Sequence, residues 1–130
     1  REASAVRTSL GRALIGVRPD REAELPWFLC DPGLDGESPA GLKELERAVR
    51  ENFARLDEEG WTQEIGECEP GIACVAIPLT IGKTSHVAIS ISTPIERMPE
   101  SQRHAFVAGM AEEIARLPRT AKVTLPKALR

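Results

Sequence analysis

Ile72-Ala73-Cys74-Val75-Ala76-Ile77-Pro78-Leu79, then Ile81-Gly82-Lys83-Thr84, then His86-Val87-Ala88-Ile89-Ser90-Ile91-Ser92, is the stretch on which the fold turns. The first run is apolar and rich in β-branched residues, which suits a strand. The second is a short connection built around Gly82, the chemistry of a hairpin. The third alternates: Val87, Ile89 and Ile91 face one way, and Ala88, Ser90 and Ser92 face the other. Two strands joined by so short a link must pair antiparallel.

Working outward, Trp61 to Ile65 reads as a further strand, with turns at Gly66 and at Cys68-Glu69-Pro70-Gly71. Ahead of it, Leu42, Leu45, Val49, Phe53 and Leu56 recur at spacings of three and four, which predicts a helix over 42–59 with an apolar face. Gly60 stands where a helix C-cap is expected. Asp31 to Gly41 reads as a loop, and Leu25-Pro26-Trp27-Phe28 as a short helical turn. A short helix from Thr8 to about Val17 takes Thr8 as N-cap. A last helix over 99–117 carries an apolar stripe of Phe106, Val107, Met110, Ile114 and Leu117. Thr120 to Arg130 reads as a basic, Pro-containing tail. The order argues for an α+β fold, an antiparallel sheet with helices packed on it.

The chain of 130 residues suits one domain with a real core. Its net charge is −3, its arginines are mostly offset by nearby glutamates, and it has no Tyr. That balance argues against a DNA-touching basic stripe or a base-stacking surface in this segment. No apolar run reaches the roughly 20 residues that span a bilayer. Arg1 to Val6 lacks the apolar core of a signal peptide. Three cysteines without a disulfide pattern fit a reduced cytoplasm. The absence of an initiator Met suggests a fragment of a longer protein.

Three places can carry chemistry. The helix start at Thr8-Ser9-Leu10-Gly11 offers unpaired amides and partial positive charge to a carboxylate or phosphate, with small Ser9 and Gly11 allowing close approach; the plainer alternative is an ordinary capped helix. Cys74, just after the Pro70-Gly71 turn, either lines a cavity or packs as a small hydrophobe. As a nucleophile it would need a depressed pKa. Ser90 and Ser92 share one face of their strand, turned either to solvent or to a polar pocket. Five residues separate Cys68 from Cys74, and His86 and His104 are remote, so no zinc pattern forms. Phosphate-loop, dinucleotide and nucleophile-elbow motifs are absent. No cofactor is expected.

These pieces also carry a resemblance. Glu69-Pro70-Gly71-Ile72-Ala73-Cys74-Val75-Ala76-Ile77-Pro78 resembles the E-x-G-x-x-C-x-A-x-P signature of IclR-type regulators. Ala88-Ile89-Ser90-Ile91-Ser92-Thr93-Pro94 is similar to that family's late strand, Thr8-Ser9-Leu10-Gly11-Arg12-Ala13-Leu14 to its T-A-x-G-K-A-L segment, and Glu58-Glu59-Gly60-Trp61 to its helix end. The four lie in the family's order over about residues 7 to 117.

The resemblance implies a GAF- or profilin-like effector domain over residues 1–130. A winged helix-turn-helix that reads DNA, and the effector domain's first helix and strands, would lie outside this chain. It implies a small-molecule effector, a carboxylate above all, sensed at Ser9, Leu10, Glu64, Cys74, Ser90 and Ser92 and coupled to operator binding. Homodimers or homotetramers are implied, without catalysis and without a membrane. Leu10 is bulkier than the family's usual residue and should shrink the pocket or shield its helix end. Arg12 stands for the usual Lys, and Thr93 for the usual Gly. The residues alone leave two rivals: an enzyme using Cys74, and a dimerisation module without ligand.

Overall fold

The computed structural model describes residues 3–130; Arg1 and Glu2 lie outside the described residues. Four α-helices and four strands follow in the order α1 (Ser9–Gly16), α2 (Arg21–Phe28), α3 (Pro39–Glu59), β1 (Thr62–Ile65), β2 (Ile72–Ile81), β3 (Ser85–Pro94), α4 (Glu100–Ala115) and β4 (Val123–Thr124). The strands form one antiparallel sheet in the order β1-β2-β3. β4 joins the same edge of β2 as β1, beyond its end, opposite Thr80 and Ile81. This is the α+β architecture the hairpin called for.

The alternation along β2 divides the molecule. Ala73, Val75, Ile77 and Leu79 point to one face, where they pack with Val107 and Ala111 of α4 and with Met98 and Leu125. Ile89 and Ile91 of β3 join that side. Cys74, Ala76 and Pro78 therefore point to the other face, over which α1 lies, running from the Cys74 end toward the Pro78 end. α1 is backed by a second core of Val6, Ile15, Leu25, Leu34, Leu45, Val49 and Phe53, drawn from α1, α2, α3 and the 3-10 turns at Ala5–Arg7 and Pro32–Leu34. Each face of the sheet thus gains its own apolar layer.

Several boundaries differ from the sequence expectation. α3 starts at Pro39 rather than Leu42, because Ser38 accepts from the Gly41 amide at 3.0 Å as N-cap and Pro39 needs no amide partner at the first helical position. The expected loop over 31–41 contains a 3-10 turn, Pro32–Leu34, capped by Asp31. α2 extends over Arg21–Phe28, two turns rather than one, with Pro26 inside it. α4 ends at Ala115, so Leu117 lies beyond it and is exposed. The expected tail is structured: β4 pairs with β2 and Leu125 enters the core. Its apolar residues are too sparse to show periodicity, and only the open edge of β2 organises them.

Gly60 does cap α3, with φ +86° and its amide on the carbonyls of Arg55 and Leu56. A Cβ there would also press on Leu129 and Pro126 at 3.0 and 3.1 Å. Gly60→Ala is expected to destabilise the domain by about 1–2 kcal/mol, the cost of left-handed backbone with a side chain, read as a lower urea midpoint.

Candidate functional site

Strand register builds one wall of a cavity. Glu64 on β1 stands opposite Cys74 on β2, and Cys74 stands opposite Ser92 on β3, so the three form a single rung across the sheet. The next rung toward α1's C-terminal end is Thr62, Ala76 and Ser90. Because side chains repeat with period two, both rungs face α1. Cys74 Sγ and Ser92 Oγ share a hydrogen bond at 2.9 Å. The Thr62 hydroxyl donates to the Ser9 carbonyl at 2.7 Å and pins the start of α1 to the sheet.

The opposite wall is that helix start. Thr8 Oγ1 accepts from the Gly11 amide at 2.9 Å, and the Thr8 carbonyl accepts the first helical bond, from Arg12. The amides of Ser9 and Leu10 occupy the first two positions of the helix, where no intrahelical carbonyl can reach them. Between the walls lies a cavity of about 400 Å³ lined by Thr8, Ser9, Leu10, Glu64, Cys68, Glu69, Ile72, Cys74, Ser90 and Ser92. That volume falls within the roughly 300–1,000 Å³ range of small-molecule pockets. All six residues singled out in the sequence meet here. Ser90 and Ser92 both line this cavity, Ser92 at its exposed side. Leu10 is 39% exposed, so its side chain reaches outward at the rim.

Glu64 is only 2% exposed. Its Oε2 accepts from the amides of Glu67 and Cys68, at 2.7 and 3.2 Å. It is thus first a cap for the turn after β1, and its residue lines the cavity without a paired cation among the described residues. Among the described residues no Lys or Arg lines the cavity. A bound anion would be held by amides, hydroxyls and the positive end of α1. Glu64 and Glu69 would repel a second acid group.

A family model described as bacterial transcriptional regulator IclR C-terminal matches residues 1–118. The chain belongs to the IclR C-terminal family. Among solved structures, an IclR family transcriptional regulator from Brucella abortus matches with TM-score 0.67 and 17% identity, over 89% of this chain and 45% of that one. The Thermotoga maritima IclR gives TM-score 0.64 and 23% identity, over 84% and 43%. A double mutant of the PobR transcription factor inducer binding domain from Acinetobacter, in complex with 3-hydroxybenzoic acid, gives 0.61 and 19%, over 85% and 62%. These likenesses are of fold. The chain spans under half the length of the first two. No curated protein matches it in sequence.

Within this IclR C-terminal domain, Cys74 has the environment of a cavity wall. Burial pushes its thiol above the ordinary range, and Glu64 adds to this, against a smaller opposing effect of the hydrogen bond to Ser92. A thiol held protonated at neutral pH is a poor nucleophile. The family is one of transcription regulators, not of enzymes. Among the described residues no group of three or more His, Cys, Asp or Glu could hold a metal ion. Likewise no described helix is long and apolar enough to cross a membrane.

Gly11 has a different reason from the ligand access expected of it. A Cβ there would meet the Ala5 carbonyl oxygen at 2.1 Å. Its small size seats the preceding 3-10 turn on α1. The sequence also gave no role to Cys68, Glu69 or Ile72 as wall residues. Cys68 had only its place in the turn between β1 and β2 as a signal, and Glu69 and Ile72 only theirs in the signature stretch that leads into β2. Arg12 was read only as a substitute for Lys, yet it is 1% exposed and bonded on every side.

Proposed function

We propose that this domain is the small-molecule sensor of a DNA-binding transcription regulator, taking a small organic or aromatic carboxylate between the start of α1 and the Glu64–Cys74–Ser92 rung. One observation carries this reading: the uncapped amides of Ser9 and Leu10 share a cavity with the hydroxyls of Ser90 and Ser92. The carboxylate sits against those donors, and Ile72 supplies an apolar wall. Glu64 favours a ligand with one acid group and a hydroxyl or amine at its far end. The PobR inducer binding domain, of the same fold, was solved with such a molecule. Binding shifts a conformational or oligomeric equilibrium of a homodimer or homotetramer, and the operator is read by a domain outside this chain.

Thermal-shift measurements with acetate, pyruvate, benzoate and 3-hydroxybenzoate provide the test, since a ligand of the native state raises its melting temperature. At least one acid is expected to raise it. Ser90→Ala with Ser92→Ala should weaken that acid by roughly tenfold to a hundredfold per lost bond to a charged group. A wild-type protein that none of the four stabilises, at millimolar concentration, would leave a ligand-free dimerisation module as the better account.

A further inference from the structure

Arg12 has the largest side chain among the fully buried residues, and the ligand cavity does not touch it. A guanidinium is costly to bury unless its donors are matched. Here they are. Nε donates to the Val6 carbonyl at 2.8 Å. Nη1 donates to the Gln63 carbonyl at 2.9 Å and to Glu67 Oε2 at 2.9 Å. Nη2 donates to Glu67 Oε1 at 2.7 Å. The pair with Glu67 is a two-pronged fork, which fixes angle as well as distance.

Follow the bonds from there. The Glu67 side chain is held by Arg12, while the Glu67 amide donates to Glu64 Oε2 in the cavity. The Cys68 amide donates to the same oxygen. Arg12 itself lies on α1, three residues after Ser9. Its contact with the Gln63 carbonyl adds the backbone of β1. One side chain therefore joins the two walls: the helix start on one side, the acid-bearing turn on the other. Buried ion pairs give little net stability against an apolar replacement. What this one supplies is a fixed spacing.

The geometry points to Arg12 as the positioning residue of the cavity: through Glu67 it fixes where the Glu64 carboxylate stands relative to the amides of Ser9 and Leu10. It touches no ligand. It sets the distance between the anion-holding end and the acceptor end, and with it the length of molecule that fits. The affinity consequence rests on the sensor reading above, but the positioning does not.

The test uses Glu67→Gln and Arg12→Lys. The Glu67 side chain is about a third exposed, so its variant keeps the fold even if Arg12→Lys does not. Hydrogen exchange followed by NMR should show the amides of residues 67 and 68 exchanging on the order of tenfold faster, with Ile77 and Ile89 unchanged. Alkylation of Cys74 by iodoacetamide, read by peptide mass against pH, should have its midpoint shifted down, because the thiol loses burial and the nearby Glu64. A change in global stability alone would not move that midpoint. For 3-hydroxybenzoate, the one of the four acids with a hydroxyl that Glu64 can accept from, affinity should fall on the order of tenfold, one charge-assisted bond's worth. If no acid binds, the sensor reading falls while the exchange and alkylation results still decide the role of Arg12. Wild-type exchange at residues 67 and 68 together with an unmoved Cys74 midpoint, in a folded Glu67→Gln, overturns the proposal.

Discussion

Gly11→Ala is expected to cost the domain about 3 kcal/mol or more, at the upper end of overpacking effects. By helix propensity alone the sign is opposite: replacing Gly by Ala inside a helix gains about 1 kcal/mol. Packing decides. A Cβ at this position lies 2.1 Å from the Ala5 oxygen and 2.6 Å from the Ala5 Cα and carbonyl carbon, all backbone atoms. A side chain could swing aside, but the 3-10 turn at Ala5–Arg7 must lift as a body. Lifting it exposes Val6, which is fully buried, and strains the bond from Arg12 Nε to the Val6 carbonyl. Urea denaturation followed by circular dichroism measures the effect as a lower midpoint with unchanged slope. An Ala variant as stable as the wild type would mean that the turn is not seated on α1 in this way.

Ser92→Asp is expected to reduce binding of a carboxylate by roughly thirtyfold or more while leaving the fold intact. Ser92 is exposed on β3, so the new side chain needs no burial. It would stand opposite Cys74, in the rung that already holds Glu64, and face any anion bound at the start of α1. Two like charges about 4 Å apart repel by roughly 4 kcal/mol at the effective dielectric of a protein surface. Halved by salt to about 2 kcal/mol, that is still roughly thirtyfold. Ser92→Asn is the control, since it adds similar bulk without charge and its side-chain amide still donates to an acid, so it should cost less than about tenfold. Calorimetric titration with the acid found by thermal shift measures both. Equal affinities for the two variants would place the ligand's acid group elsewhere.

Much of the site was legible because the features that mark it are local. Thr8 is a capping residue followed by a helical sequence, and it caps. Ser90 and Ser92 interrupt an Ile/Val alternation, and alternation fixes which face they share. Cys74 sits in an apolar strand after a Pro-Gly turn. What was not legible depends on neighbours far along the chain. Glu64 had no local signal for its cap role, which needs the amides of residues 67 and 68 to turn back on it. Arg12 was legible only as standing for the usual Lys, because its partners Val6, Gln63 and Glu67 include residues more than fifty positions away.

The same division holds for the fold. Sequence by itself determined the elements whose pattern is strong: the β2–β3 hairpin, the body of α3 over 42–59 with its Gly60 cap, and the faces that Ile and Ser residues take. Period-two and period-3.6 patterns follow from backbone geometry and need no partner. Tertiary structure alone decided three things. It drew residues 123–124 into the sheet, because β2 outruns β1 and leaves an edge to pair. It aligned Glu64, Cys74 and Ser92 in one rung, since register between strands is a property of pairing and not of any strand. It also buried Arg12, because only the assembled walls could supply acceptors to every nitrogen of its guanidinium.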